Sequence, residues 1–115
     1  MVTIEQIVEK LPVEVLTPGV PLTRHVVADY ASDLLSCVMT GAKQNYIWVT
    51  LQSHMNVVAV ASLLSLPVVL ITEGKRPDAT VIEKAVEEGI VLLLTGKNTF
   101  FSVSALAALG IAAEP

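Results

Sequence analysis

The stretch Tyr46 to Thr72, YIWVTLQSHMNVVAVASLLSLPVVLIT, reads as one complete strand, helix and strand, and it carries the densest run of apolar residues in the chain. Tyr46 to Leu51 is a continuous apolar run with Trp48 inside it, the pattern of a strand covered by helices on both faces of a parallel sheet. From about His54 to Leu66 the residues Val57, Val58, Ala59, Val60, Ala61, Leu63 and Leu64 leave only Asn56, Ser62 and Ser65 polar. A helix apolar almost all round is expected to be buried on more than one side. Pro67 ends it, and Val68 to Thr72 makes the next strand. Where the first strand hands over to the helix, Thr50-Leu51-Gln52-Ser53-His54-Met55-Asn56 gathers the chain's densest cluster of uncharged polar groups.

The same unit recurs on either side. Downstream, Glu73-Gly74-Lys75-Arg76-Pro77-Asp78 is a loop whose Asp78 is placed to cap a helix running to Glu88, with Gly89 as its left-handed stop. Val81, Ile82, Ala85 and Val86 give that helix a buried stripe, and Glu83, Lys84, Glu87 and Glu88 face water. Ile90 to Leu94 is a third apolar strand. Thr95-Gly96-Lys97-Asn98-Thr99 is a loop, and a last helix runs from about Phe100 to Leu109, closed by Gly110. Upstream, His25 to Tyr30 reads as a strand and Asp33 to Met39 as a helix capped by Asp33, with Gly41 to Asn45 a polar loop. At the start, Thr3-Ile4-Glu5-Gln6 has the form of a capping box, Ile4, Ile7, Val8 and Leu11 fall on one helical face, and Pro12 stops the pattern. Val13 to Leu16 alternates like a short edge strand, and Thr17 to Pro21 is turn chemistry. Repeated strand-loop-helix steps of this kind predict an α/β fold, a three-layer α/β/α sandwich with a mostly parallel sheet, in a single domain spanning 1–115.

Composition narrows the function classes. Hydrophobic residues make up 53% of the chain and charged ones only 16%, against roughly 25% charged in an ordinary soluble domain. A spanning helix needs about 20 apolar residues, and Ser62, Ser65 and Pro67 interrupt the longest apolar segment, so no membrane is expected. Oligomer burial, a homodimer in the simplest case, accounts for the surplus instead. The formal net charge of −4 supplies no general attraction for nucleic acid. The N-terminal MVTIEQIVEKL shows no basic start followed by the apolar core of a secretory signal, so a cytoplasmic protein is expected. The lone Cys37 lies among apolar neighbours, where a buried inert thiol is the common outcome.

In open parallel sheets, ligands settle outside the carboxyl ends of the strands. The candidate binding residues on that edge are Gln52, Ser53, His54 and Asn56 after the first strand, Gly74, Lys75 and Arg76 after the second, and Gly96 and Lys97 after the third. Ser32 and Asp33 join them from the upstream loop. Three of the seven basic residues, Lys75, Arg76 and Lys97, lie there beside helix starts whose amides and dipole favour an anion, so a small anionic metabolite or nucleotide is the expected ligand. Complete signatures are missing. Gly96-Lys97 is followed by Asn98 and not by the serine or threonine of a P-loop, and no G-x-G-x-x-G opens a helix. Two histidines, one cysteine and scattered carboxylates show no metal-ligand spacing, so neither metal nor cofactor is expected. His54 lacks the orienting partner of a catalytic base, and Asp29, Asp33 and Asp78 form no acid–base pair.

Three blocks carry a family resemblance: Tyr30-Ala31-Ser32-Asp33-Leu34-Leu35-Ser36, then Trp48 through Ala61, then Gly74-Lys75-Arg76-Pro77-Asp78 ahead of a helix. With them the chain resembles the DRTGG-domain family, small bacterial and archaeal regulatory domains, from Met1 to about Gly110. The resemblance implies a fold similar to the N-terminal domain of HPr kinase/phosphorylase and related to the N-terminal domains of MurE and MurF ligases. It also implies a regulatory or assembly role, since such domains occur inside phosphate acetyltransferases and between the CBS domains of some pyrophosphatases, where the chemistry belongs elsewhere. Single-domain members lie near genes for iron-only hydrogenases, which adds redox or fermentative regulation to the expectations. The expected function is therefore a non-catalytic, homodimeric regulatory module. A protein–protein adaptor for a kinase, transferase or hydrogenase system is the alternative, and a small phosphotransfer or hydrolytic enzyme using His54 or Asp33 ranks last.

Overall fold

A computed structural model describes residues 1–113. Its elements in order are β1 (Val2–Thr3), α1 (Ile4–Lys10), β2 (Glu14–Val15), β3 (His25–Val26), β4 (Ala28–Ala31), α2 (Leu35–Gly41), β5 (Tyr46–Thr50), α3 (Met55–Leu63), β6 (Val68–Ile71), α4 (Ala79–Glu88), β7 (Val91–Leu94), α5 (Thr99–Ala108) and β8 (Ala112–Ala113). The main sheet has the order β2-β7-β6-β5-β4-β8. β4, β5, β6, β7 and β8 run parallel, and β2 lies antiparallel on β7 at one edge. β1 and β3 form a separate antiparallel pair.

Side-chain alternation along the strands explains the layers. Tyr46, Trp48, Val69, Ile71, Leu92 and Leu94 face one way and pack with Val38 of α2, Val57, Val58 and Ala61 of α3 and Val81 and Ala85 of α4. Ile47, Val49, Val68, Leu70, Val91 and Leu93 face the other way onto Ile4 and Ile7 of α1 and Leu106 of α5. The consecutive steps from β4 to β7 keep their helices on the first face. α5 then returns along the second face, past β5 and β4, to deliver β8 beside β4. This is the expected three-layer α/β/α architecture.

Local chemistry sets several boundaries. The capping box at Thr3 is formed in both directions, with Gln6 N donating to Thr3 Oγ1 at 3.2 Å and Thr3 N to Gln6 Oε1 at 2.9 Å. Gly89 closes α4 at φ 71, the left-handed region where glycine carries no Cβ penalty. Asp78 occupies the first position before α4 without a side-chain hydrogen bond to it.

Four expectations need correction. The strand read over His25 to Tyr30 is two strands in two sheets, because the alternation breaks at Val27: Val26 enters the core on the α1 and α5 side and Ala28 the core on the other. Asp33 does not cap α2. Leu34 holds the cap position with no side-chain bond, and the Asp33 carboxylate turns towards β5. α3 stops at Leu63, short of Pro67, since Ser65 takes a positive φ of 58. Finally, the apolar surplus goes mostly inside one copy, because every residue of β5, β6 and β7 is buried on a sheet covered from both sides. Within that copy α3 buries Val57, Val58 and Ala61 on one side only, leaving Met55, Ala59 and Leu63 exposed. No helix among the described residues is long and apolar enough to cross a membrane.

Candidate functional site

The carboxyl ends of β4, β5, β6 and β7 open on one edge, and there three buried threonines stand, Thr50 as the last residue of β5 and Thr72 and Thr95 as the first residues after β6 and β7. They anchor two knots of hydrogen bonds. In the first, Asp33 Oδ1 accepts from Thr50 Oγ1 and from the Leu51 amide, both at 2.8 Å. Gln52 Nε2 donates to the Asp33 carbonyl at 3.0 Å, and Trp48 Nε1 donates to the Ser32 carbonyl at 2.9 Å. Ser32 Oγ accepts from the Leu34 amide at 3.2 Å. The Ser32-Asp33 turn is thus fastened to the end of β5 through a charged acceptor, the stronger kind of hydrogen bond.

The second knot joins the loops after β6 and β7. The Glu73 amide donates to the Lys97 carbonyl and the Gly74 amide to the Thr95 carbonyl, each at 2.9 Å. Thr72 and Thr99 share a hydroxyl–hydroxyl bond of 3.1 Å. Asn98 caps α5, its Oδ1 accepting from the Phe101 amide at 2.8 Å, and Lys97 Nζ lies 5.4 Å from the centre of the Phe101 ring. The Thr72 amide donates to the Thr50 carbonyl at 2.9 Å and ties the two knots into one platform.

Among the candidate residues, Ser32, Asp33 and Gln52 meet directly, and the segments holding Gly74 and Lys97 are bonded together. Ser53, His54 and Asn56 surround the start of α3, where His54 holds the cap position without a side-chain bond. Gly96 and Lys75 lie exposed on their loops. Arg76 departs from expectation. Its guanidinium is paired with Glu14 on β2, so its charge is balanced at the far edge of the sheet. With Glu73 exposed on the same loop, the platform is less basic than its sequence suggested.

Sequence reading missed both the threonines and the apolar rim. The signal for the first was present, since Val49-Thr50, Ile71-Thr72 and Leu94-Thr95 each end an apolar run in the same way. The rim consists of Leu34, Leu51, Met55, Phe100 and Phe101, all exposed and all on the loops and helix starts that follow the strands, with Phe100 82% exposed. Among the described residues, three surface hollows lie outside the two knots, one of them reaching Met55 of the rim. One of about 450 Å³ is lined by Gln6, Lys10 and Leu109, one of about 200 Å³ lies between α3 and α4, and one of about 170 Å³ involves Arg24, Ser65 and Ile90. Among the described residues, no group of three His, Cys, Asp or Glu side chains is placed to hold a metal.

Asp29, the second residue of β4, is half-buried, and burial pushes its carboxyl above the ordinary 3.8 against a smaller opposing pull from a backbone hydrogen bond. A raised folded-state value means that Asp29 adds stability below 3.8 and loses it as the pH climbs through the raised value. Asp29→Asn is therefore expected to be more stable than the parent at pH 7, with the gap closing in acid. Urea melts at the two pH values check it, and a gap that widens in acid would refute the burial argument.

What the fold and its edge define is a three-layer α/β/α domain with a mostly parallel sheet. Its fold matches the regulatory region of Clostridium perfringens pyrophosphatase, holding CBS and DRTGG domains and solved in complex with the activator diadenosine tetraphosphate, with a TM-score of 0.71. The match covers 90% of this chain and 45% of that one at 14% sequence identity, so this chain spans less than half the length of its neighbour and the likeness is one of fold. The DRTGG-like fold expected from the three sequence blocks is thereby borne out. Neither a family model nor a curated protein matches the chain.

Proposed function

We propose that this chain is a non-catalytic, cytoplasmic regulatory module, homodimeric, acting as one unit and using the platform at the carboxyl edge of its sheet as the sensing surface. The observation that carries this reading is the employment of the edge's polar groups. Asp33, Thr50, Gln52, Thr72, Thr99 and Asn98 all serve to hold neighbouring loops in place, an arrangement that builds a rigid surface and not a nucleophile with its base. The ligand is a small anionic metabolite or nucleotide received by Ser53, His54, Asn56, Gly74, Lys75, Gly96 and Lys97. The activator bound by the pyrophosphatase regulatory region puts diadenosine tetraphosphate first on the panel.

Thermal-shift measurements with that dinucleotide, mononucleotides and phosphorylated metabolites test it. A true ligand at 100 times its dissociation constant adds about 2.7 kcal/mol, and Lys97→Ala is expected to abolish the shift. A flat response to the whole panel overturns the ligand reading. A second reading, an adaptor for another protein, is favoured by one observation: Leu34, Leu51, Phe100 and Phe101 present an apolar rim around polar loops, the composition of a docking surface.

A further inference from the structure

The five helices divide sharply by charge. α1 presents Glu5, Glu9 and Lys10 to water and α4 presents Glu83, Lys84, Glu87 and Glu88, whereas α2, α3 and α5 contain no charged residue at all. α3 and α4 are neighbours on one face of the sheet and so share one environment, yet only α4 has the polar outer surface of a water-facing helix. On the outer side of α3, Met55, Ala59 and Leu63 follow one another at four-residue spacing, and all three are exposed, Leu63 at 69%. Beside that stripe is the hollow of about 200 Å³, formed by Met55, Val58, Ala59 and Ser62 of α3. Its far wall is Lys84 and Glu88 of α4, which neutralise each other at 3.2 Å.

We propose that a second copy of this chain covers the face, its α3 crossing this α3 antiparallel at Ala59, so that each copy's Leu63 enters the hollow beside the other's Met55. The inference rests on the dimeric reading above and specifies its contact. A two-fold contact sets one patch against itself, so a face carrying charge of a single sign repels its own image. The outer side of α3 carries no charge and meets itself without that cost. Shape agrees, because large-small-large about Ala59 reads the same in both directions, and a small residue at the crossing lets two helices approach closely. A protruding leucine on α3 and the largely apolar hollow between α3 and α4 supply the knob and the pocket that an interface centre needs.

Light scattering behind a sizing column tests the proposal on the full chain, with circular dichroism to verify that each variant is folded. The parent is expected at twice 12.2 kDa. Ala59→Arg places a cation against its own image and is expected to weaken association by about 100-fold or more, giving monomer. Phe100→Lys, on the opposite face of the sheet, is expected to remain a dimer. Met55→Glu and Leu63→Lys are each expected to weaken the dimer, and the two together in one chain to restore it, since the antiparallel register sets the new glutamate beside the partner's new lysine. A parent dimer that survives Ala59→Arg overturns this contact while leaving dimerisation standing. Loss with Ala59→Arg but no recovery in the paired variant overturns the antiparallel register. A parent that runs as monomer removes the dimeric reading itself and the contact with it.

Discussion

Asp33→Ala is expected to destabilise the domain by about 2 kcal/mol, because it takes a charged acceptor from two donors at once and leaves the hydroxyl hydrogen of fully buried Thr50 without its acceptor, the oxygen still accepting from the Gln52 amide. For a chain of this size that corresponds to a fall in Tm of roughly 8 °C. Thr50→Val removes the donor and keeps the shape. The Asp33→Ala, Thr50→Val double variant should therefore cost less than the two single changes added together, with a coupling of about 1 kcal/mol. Chemical denaturation of the four proteins measures it. A loss below about 0.5 kcal/mol on replacing Asp33 would mean an ordinary surface carboxylate and would sink the idea of a fastened edge.

The second large effect lies at Gly41, the last residue of α2. A methyl group there would come within 2.5 Å of Tyr30 Cζ and 2.6 Å of its hydroxyl oxygen, well inside van der Waals contact. Alanine ordinarily favours a helix over glycine by up to about 1 kcal/mol. Here the ring has to leave its place against the α2 side of the core, and Gly41→Ala is expected to cost about 2 kcal/mol in spite of that preference. Adding Tyr30→Leu, which shortens the obstructing side chain, is expected to recover most of the loss. Urea melts of the single and double variants decide it, and a Gly41→Ala protein as stable as its parent would show that the Tyr30 ring swings aside freely.

The strand-helix-strand core was legible because β5, β6 and β7 are buried on both faces and so appear as unbroken apolar runs, while caps such as Thr3 and Gly89 are local signals read from a few adjacent letters. The rest depended on partners far along the chain. Asp33 next to a helix looks like a cap, and only the folded chain brings Thr50 to it. Arg76 beside a helix start looks like an anion ligand until Glu14 arrives across the sheet edge. β8 consists of two alanines, residues with no strand preference, and it exists as a strand because α5 sets it down beside β4. The division at Val27 was hidden for the opposite reason, since both halves of that segment favour extended backbone and nothing local marks the change of sheet.

The strand order carries a consequence for how the molecule assembles. β4 through β7 are joined in sequence to their own neighbours in space, so each step closes a short loop, whereas β2 on β7 and β8 on β4 pair segments from opposite ends of the chain. Short closures are entropically cheap and come early; distant ones wait until their template exists. The four inner strands thus form the nucleus. The two flanking ribbons, each a mere pair of residues, are the last to zip and the first to fray, and their amides should surrender deuterium long before those of Trp48 or Leu92.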